Sequence, residues 1–389
     1  MKQAAATEVL SELVSIPSVS TMPNRPIIQY VENSLARADW EIKLYPYVDQ
    51  AGTEKINLIS RTGPKSEPIE LALVCHTDTV PFEAGWTNAV NPKVSRGKLY
   101  GCGACDIKGF LACALAAISQ LDASRLERSL ALVCTADEEV GCVGAKRIAA
   151  EKTIQPRYAI VGEPTDLHPV VAGKGYALAE VTVKGRTAHS AFPSEGRSAI
   201  YDAARVLQRI EALSEKIAGN RQQKFDPPFT TLNVGVIQGG TAKNIVPGEC
   251  RMLLEWRPVP GQKPGLVADL VEEELQALRK EGVQASLEVS RIDSGFETSQ
   301  QSEIARLLES LSKRKARTVA FGTEAPYFNK LGAETVVFGA GEMKVAHRTG
   351  EHVRVKDLER CERILGRVIE KLCCEAVDRR SSTVDRPPL

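Results

Sequence analysis

Short, almost unbroken apolar runs alternate with stretches of helical apolar spacing through the first part of the chain. Asn57–Arg61, Leu71–Cys75, Leu130–Thr135 and Tyr158–Val161 read as strands, preceded by a more polar one over Trp40–Tyr47. Thr7–Val14, Pro26–Asp39, Gly109–Gln120 and Gly144–Glu151 read as helices, the first stopped at Ile16-Pro17-Ser18. Strands apolar on both faces, alternating with helices, predict an α/β domain on a mostly parallel, buried sheet. In such sheets function collects beyond the carboxyl ends of the strands.

The texture changes at Gly175. Ala177–Val183 alternates strictly, as a strand with one covered face does. Helix Ser198–Ala218, strands Thr231–Ile237 and Gly248–Trp256, helix Gly265–Glu281 and strand Ala285–Arg291 follow. That β-α-β-β-α-β order predicts an inserted two-layer α+β domain of ferredoxin-like type. The α/β pattern then resumes with helix Ser302–Arg314, strand Val319–Phe321, helix Ala325–Lys330, strand Thr335–Phe338 and helix Lys356–Leu372. The expected organisation is therefore an α/β domain over 1–174 and 291–374, interrupted by a lid or dimerisation domain over 175–290. Lys174, before the hinge-like Gly175, reads as a solvated hinge residue, and the polar tail 375–389 as disordered.

A chain of 389 residues exceeds what one core usually organises, in keeping with about two domains. A net charge of +1 argues against a nucleic-acid partner, which needs concentrated basic surface. Apolar runs stay well short of the ~20 residues that cross a bilayer, and the N-terminus lacks a secretory h-region. A cytoplasmic protein with small-molecule partners is expected. Ten cysteines are scattered, many inside apolar runs (Cys75, Cys113, Cys134), and read as buried thiols rather than a disulfide framework. Cys102 and Cys105 form a C-x-x-C without a second pair at zinc-finger spacing, and read as two thiols near a turn.

Candidate chemistry lies at the strand ends. Asp137-Glu138-Glu139 follows the run Leu130–Ala136, and carboxylates crowded there repel unless a cation compensates them. His76 and Asp78 close another strand, and Asp106 sits in the glycine-rich turn Tyr100–Gly109. With Glu163 and His347, the set His76, Asp106, Glu139, Glu163 and His347 suits two adjacent metals of the zinc type. Taken singly each has a duller reading, as a polar cap, a loop carboxylate or a surface histidine.

The chain resembles the M20 family of metallopeptidases. The matching segments are His76-Thr77-Asp78-Thr79-Val80-Pro81-Phe82, Gly101–Phe110, Ala136-Asp137-Glu138-Glu139, Gly162-Glu163-Pro164-Thr165, Thr231-Leu232-Asn233 and Gly239-Gly240. Arg257-Pro258-Val259-Pro260-Gly261, Thr323-Glu324-Ala325-Pro326 and Gly339-Ala340-Gly341 through Ala346-His347 complete the set. The resemblance implies a hydrolase of N-acyl amino acids, most similar to members that remove acetate from N2-acetyl-L-ornithine in arginine biosynthesis. Desuccinylation of succinyl-diaminopimelate, deacetylation of acetylcitrulline and dipeptide hydrolysis are the rival activities on the same scaffold. A non-catalytic binding protein on this fold is a more distant one.

The resemblance further implies that Asp106 bridges two zinc ions, with cobalt as an alternative metal. His76 and Glu163 would complete one site, Glu139 and His347 the other. Asp78 would accept the second ring N–H of His76, and Glu138 would be the general base. His189, in Thr187-Ala188-His189-Ser190, would cross from the insertion of a homodimeric partner and donate to the oxyanion, with Asn244 a similar loop donor. Arg257 offers a planar fork for a substrate carboxylate, and Glu324, beside Thr323, a countercharge for a side-chain ammonium. Two features depart from the resemblance: the cysteines at 102, 105 and 142, and Gly350 where relatives often carry aspartate. Glu351 keeps the usual acidic position.

Overall fold

The computed structural model describes residues 5–36, 39–65 and 68–374; the expected tail, 375–389, lies outside the described residues. The strands that carry the fold are β1 (Glu41–Val48), β2 (Glu54–Thr62), β3 (Ile69–His76), β4 (Leu130–Thr135), β5 (Pro156–Gly162), β6 (Tyr176–Lys184), β7 (Thr231–Gly239), β8 (Glu249–Arg257), β9 (Gln284–Asp293) and β10 (Glu334–Phe338). The helices are α1 (Ala6–Val14), α2 (Arg25–Ser34), α3 (Lys108–Ser119), α4 (Val143–Glu151), α5 (Ala199–Ala218), α6 (Leu266–Lys280), α7 (Glu303–Ser312), α8 (Ala325–Lys330) and α9 (Val355–Ile369). They form two compact units, one built from the chain up to Pro169, Ser299–Ala316 and Tyr327 onward, the other from Val170–Thr298 and Arg317–Pro326.

In the first unit the strands run in the order β1-β2-β4-β3-β5-β10. β3 pairs in parallel with β4 and β5, and β5 with β10, while β1 and β2 are antiparallel additions at one side. Every residue of β3 and β4 is buried, which is why these segments lack polar alternation. β1 is half exposed, as its more mixed sequence predicts. Helix α3 is buried over nearly its whole length and packs against α1 and α9. Helix α2 ends at Ser34, earlier than its sequence pattern suggests. A small antiparallel sheet of Lys93–Ser95, Lys98–Tyr100 and His352–Arg354 was not foreseen, because three-residue strands carry no readable period.

The second unit holds an antiparallel sheet in the order β7-β8-β6-β9. Alternate residues of β6 and β8 are buried, so one face is covered. The covering helices α5 and α6 close a core of Val181, Val183, Val206, Ile210, Met252, Trp256, Val271 and Leu275. This is the ferredoxin-like arrangement expected from the element order. The strand expected at Val319–Phe321 sits at Arg317–Val319. Lys174 is not solvated: it is buried, and its ammonium donates to the carbonyls of Pro227 at 2.8 Å and Phe229 at 2.7 Å. Those two carbonyls replace the water that a lysine beside a hinge would otherwise keep.

Candidate active site

Three neighbouring strands of the first unit, β4, β3 and β5, end in polar residues at the same edge of the sheet. β3 delivers His76 as its last residue, the turn after β4 delivers Asp137-Glu138-Glu139, and Glu163 follows β5. Asp106 comes from the turn before α3, and His347 from the segment before His352–Arg354. His76 Nε2 lies 3.2 Å from Asp106 Oδ1, and His347 Nε2 lies 3.1 Å from Asp106 Oδ2. His347 Nε2 is also 3.1 Å from Glu139 Oε1. The ligand atoms of His76, Asp106 and Glu139 fall within 4.8 Å of one another.

The electrostatics are those of a pocket short of positive charge. Burial raises Glu163 well above the usual carboxylate range, and the nearby charges of Asp106 and Glu138 add to it. Glu139 is raised for the same first reason. Asp106 is held low despite its burial, because both imidazoles sit on its oxygens. Contacts with Asp106 and Glu139 lift His347 to about 10, and His76 rises well above its normal value through Asp106 and Asp78, against the effect of burial. A histidine must be neutral to bind metal. Metal loading near pH 7 should therefore release at least one proton per chain, and affinity should rise by about tenfold per pH unit for each proton displaced. Isothermal titration in buffers of different ionisation enthalpy measures that release, and equal heats in all buffers would refute it.

Asp78 serves the backbone of the next turn as well as facing His76. His76 Nδ1 is 3.0 Å from the backbone carbonyl of Asp78 and 3.6 Å from its carboxylate. The carboxylate also accepts the N–H groups of Glu138 at 3.1 Å and Glu139 at 3.2 Å, and the hydroxyl of Ser20 at 2.8 Å. Two backbone donors at the open end of β4 need a buried acceptor, so the carboxylate serves them while it still faces the ring and helps to raise His76. Asp78 thus fixes the Glu138-Glu139 backbone. Glu138 itself is half-buried, and the thiol of Cys142 lies 3.4 Å from its Oε1.

Asp137, given no part from sequence, anchors the turn from behind. Its φ is +59°, and its oxygens take Lys55 Nζ and the hydroxyl of Tyr47, each at 2.9 Å. Lys55 is only 1% exposed and also donates to Met22 O at 2.9 Å. Lys55→Met leaves the buried Asp137 charge without its cation and should cost about 3–5 kcal/mol of stability, read from urea unfolding. Lys55 was hidden in the sequence as an ordinary strand residue; only its place beside Ile56 and Leu58 hints at burial.

Cys102 and Cys105 are buried, and burial pushes Cys102 up to about 11 and Cys105 well above its ordinary value. Both stay thiols at neutral pH, in line with their reading as packed residues. All ten cysteines are free.

The remaining expected residues belong to the second unit. His189 pairs with Ile245 across a short antiparallel bridge, and the N–H of Ser190 donates to Asn244 O at 3.0 Å. His189 and Asn244 are therefore neighbours, both exposed. Arg257 lies over the Tyr176 ring at 5.0 Å and donates to Glu255 Oε1 at 2.8 Å and Ala320 O at 3.3 Å. Arg291 lies 4.8 Å from the centroid of the same ring, a contact the sequence did not suggest. Glu324 is 0% exposed and Thr323 5%. Thr323 Oγ1 accepts from Ala325 N at 3.2 Å, a turn contact that starts α8. Glu324 is thus packed inside the second unit at the start of α8, rather than lying open to solvent as its turn sequence suggests.

The family model of peptidase family M20/M25/M40 matches residues 72–371. The acetylornithine deacetylase of Myxococcus xanthus is 48% identical over 373 residues, covering 95% of this chain and 98% of the relative. That of Photorhabdus laumondii is 32% identical over 378 residues, covering 94% and 97%. Among solved structures, the aminopeptidase PepT of Bacillus cereus shares the fold at a TM-score of 0.76 and 21% identity, covering 96% of this chain and 99% of that one. An M20 family metallo-carboxypeptidase of Sulfolobus solfataricus does so at 0.75 and 19%, covering 95% and 99%. Among the described residues no helix is long and apolar enough to cross a membrane.

Proposed function

The chain belongs to peptidase family M20/M25/M40, and from that membership we propose that it is a two-zinc amidohydrolase releasing acetate and L-ornithine from N2-acetyl-L-ornithine. The observation that carries the reading is the convergence of His76, Asp106, Glu139 and His347 from separate segments onto one shared carboxylate. Imidazole nitrogens and carboxylate oxygens are the donor set zinc takes. Burial, with the charge of neighbouring carboxylates added to it, raises Glu163 and Glu139, and a divalent cation offsets that cost, so the residues present fit the metal. Asp106 would serve both ions, His76 and Glu163 one, Glu139 and His347 the other. Cobalt has the same ligand preferences at such a site.

A divalent cation held there supplies Lewis acidity, polarising the amide carbonyl and acidifying water. The chain's own part is proton traffic and orientation. Glu138 takes the proton from the attacking water on its carboxylate, the carbon–nitrogen bond breaks, and the same proton passes to the departing amine. Its half-buried position, next in sequence to Glu139, suits that exchange. Asp78 holds the Glu138 and Glu139 backbone while this happens. Arg257 receives the free carboxylate of the substrate, its plane already fixed on Tyr176. His189, with Asn244 beside it, donates to the oxyanion of the opposite protomer in a homodimer, a role that the exposure of both side chains supports, and the protein acts in the cytoplasm.

The test is a panel of N2-acetyl-L-ornithine, acetylcitrulline, succinyl-diaminopimelate, acetylmethionine and a dipeptide, each assayed for amine release by the zinc-loaded protein. Acetylornithine is expected to have the highest kcat/KM. A higher value for any other member would move the substrate to that member. Sedimentation equilibrium separates dimer from monomer.

A further inference from the structure

Glu351 lies 2% exposed beneath the turn that carries Asp106. Its Oε1 accepts the N–H of Cys105 at 2.8 Å and of Asp106 at 3.0 Å, and its Oε2 the N–H of Gly103 at 3.2 Å. Its own carbonyl accepts the N–H of Gly101 at 3.1 Å. One residue therefore takes four backbone donors from a turn outside any helix or strand, where buried amides need an acceptor. The next residue, His352, pairs with Tyr100 in the small sheet and fixes the approach.

We propose that Glu351 is a positioning residue for the shared carboxylate, locking the turn of Asp106 to the segment of His347. The inference rests on the two-metal reading of the site. The connection closes a ring: Asp106 Oδ2 meets His347 Nε2 at 3.1 Å, the chain runs from His347 to Glu351, and Glu351 returns to Asp106 N. Asp106 and Glu351 are 245 residues apart in sequence, so this support for the aspartate comes from outside the turn, in addition to the turn's own bonds such as Ala104 N to Gly101 O at 3.2 Å and Lys108 N to Gly103 O at 2.8 Å. A ring of this kind lets one carboxylate, Glu351, preset where another must face two imidazoles at once. Only an acceptor-only group suits the position. A carboxylate offers lone pairs on both oxygens, whereas a glutamine would turn an amide donor toward one of the backbone donors. Because Asp106 is shared, loosening it weakens both ions together rather than one.

The test is a zinc titration of the metal-free wild-type protein and of Glu351→Gln, with the unfolding midpoint of each metal-free form measured alongside. The expected result is two ions per wild-type chain, and a loss of about 10- to 100-fold in affinity at both sites in the variant. Unchanged affinity at both sites, or weakening at one alone, overturns the proposal. A lowered unfolding midpoint with unchanged zinc affinity makes the role purely structural and also overturns it. If the wild type binds fewer than two ions, the two-metal reading fails instead. Should Glu351→Gln not fold, hydrogen exchange of the metal-free wild type decides. Slow exchange at Gly103, Cys105 and Asp106 supports the lock, and exchange as fast as an exposed loop overturns it.

Discussion

Glu138→Ala should lower kcat by about 10²–10⁴-fold while KM and metal content stay near their wild-type values. The size follows from what a positioned base contributes to proton transfer. The selectivity follows from geometry: Glu139, not Glu138, makes the contact with His347, and the backbone amides of both residues rest on Asp78 rather than on each other's side chains. Removing the Glu138 side chain therefore leaves the polar floor of the pocket in place. Steady-state kinetics with acetylornithine, paired with metal analysis of the same preparation, makes the check. A variant that keeps its turnover would remove Glu138 from the mechanism, and one that loses metal would make it a ligand.

Asp106→Asn should act earlier, on assembly of the site. The amide keeps the shape of the side chain but halves its oxygens and removes the charge that both imidazoles now face at 3.2 and 3.1 Å. Loss of a shared ligand should exceed the 10- to 100-fold effect of an outer hydrogen-bonding partner, so we expect more than about 100-fold weaker binding of both ions and activity at background. The fold should survive, since the turn is held through its backbone by Glu351 and not through the Asp106 side chain. Metal stoichiometry after gel filtration, with circular dichroism as the control for folding, reads the result. A variant that retains both ions would show that Asp106 is not shared.

The contrast between these two carboxylates explains which parts of the molecule were readable in sequence. β4 is bounded as expected, Leu130–Thr135, because a strand buried on both faces writes itself as an apolar run with sharp polar ends. The second unit was readable because one covered face imposes strict alternation on β6, and the order of elements after it followed. The strand-end residues stood out because several polar and charged groups follow apolar runs at the same sheet edge, although Asp137 and Asp78 there turn out to hold the backbone and turn.

Other features left no such mark. Glu351 works on backbone amides, which carry no side-chain identity, across 245 residues of sequence. Lys55 looks like any charged strand residue until Asp137 is seen opposite it. Asp78 illustrates a subtler limit: its place near His76 was visible, but the two backbone donors its carboxylate also accepts were not. Glu324 shows the reverse, a chemically suitable residue whose burial was not legible from its neighbours.

On the proposed reading the strand-end cluster hydrolyses acetylornithine only with metal bound. The most direct measurement is ornithine formation by the purified protein after exhaustive chelation, followed by stepwise return of zinc. Background turnover is expected in the metal-free protein, with recovery that tracks the bound zinc. Full turnover without metal, or no ornithine from the zinc-loaded protein, would contradict that reading.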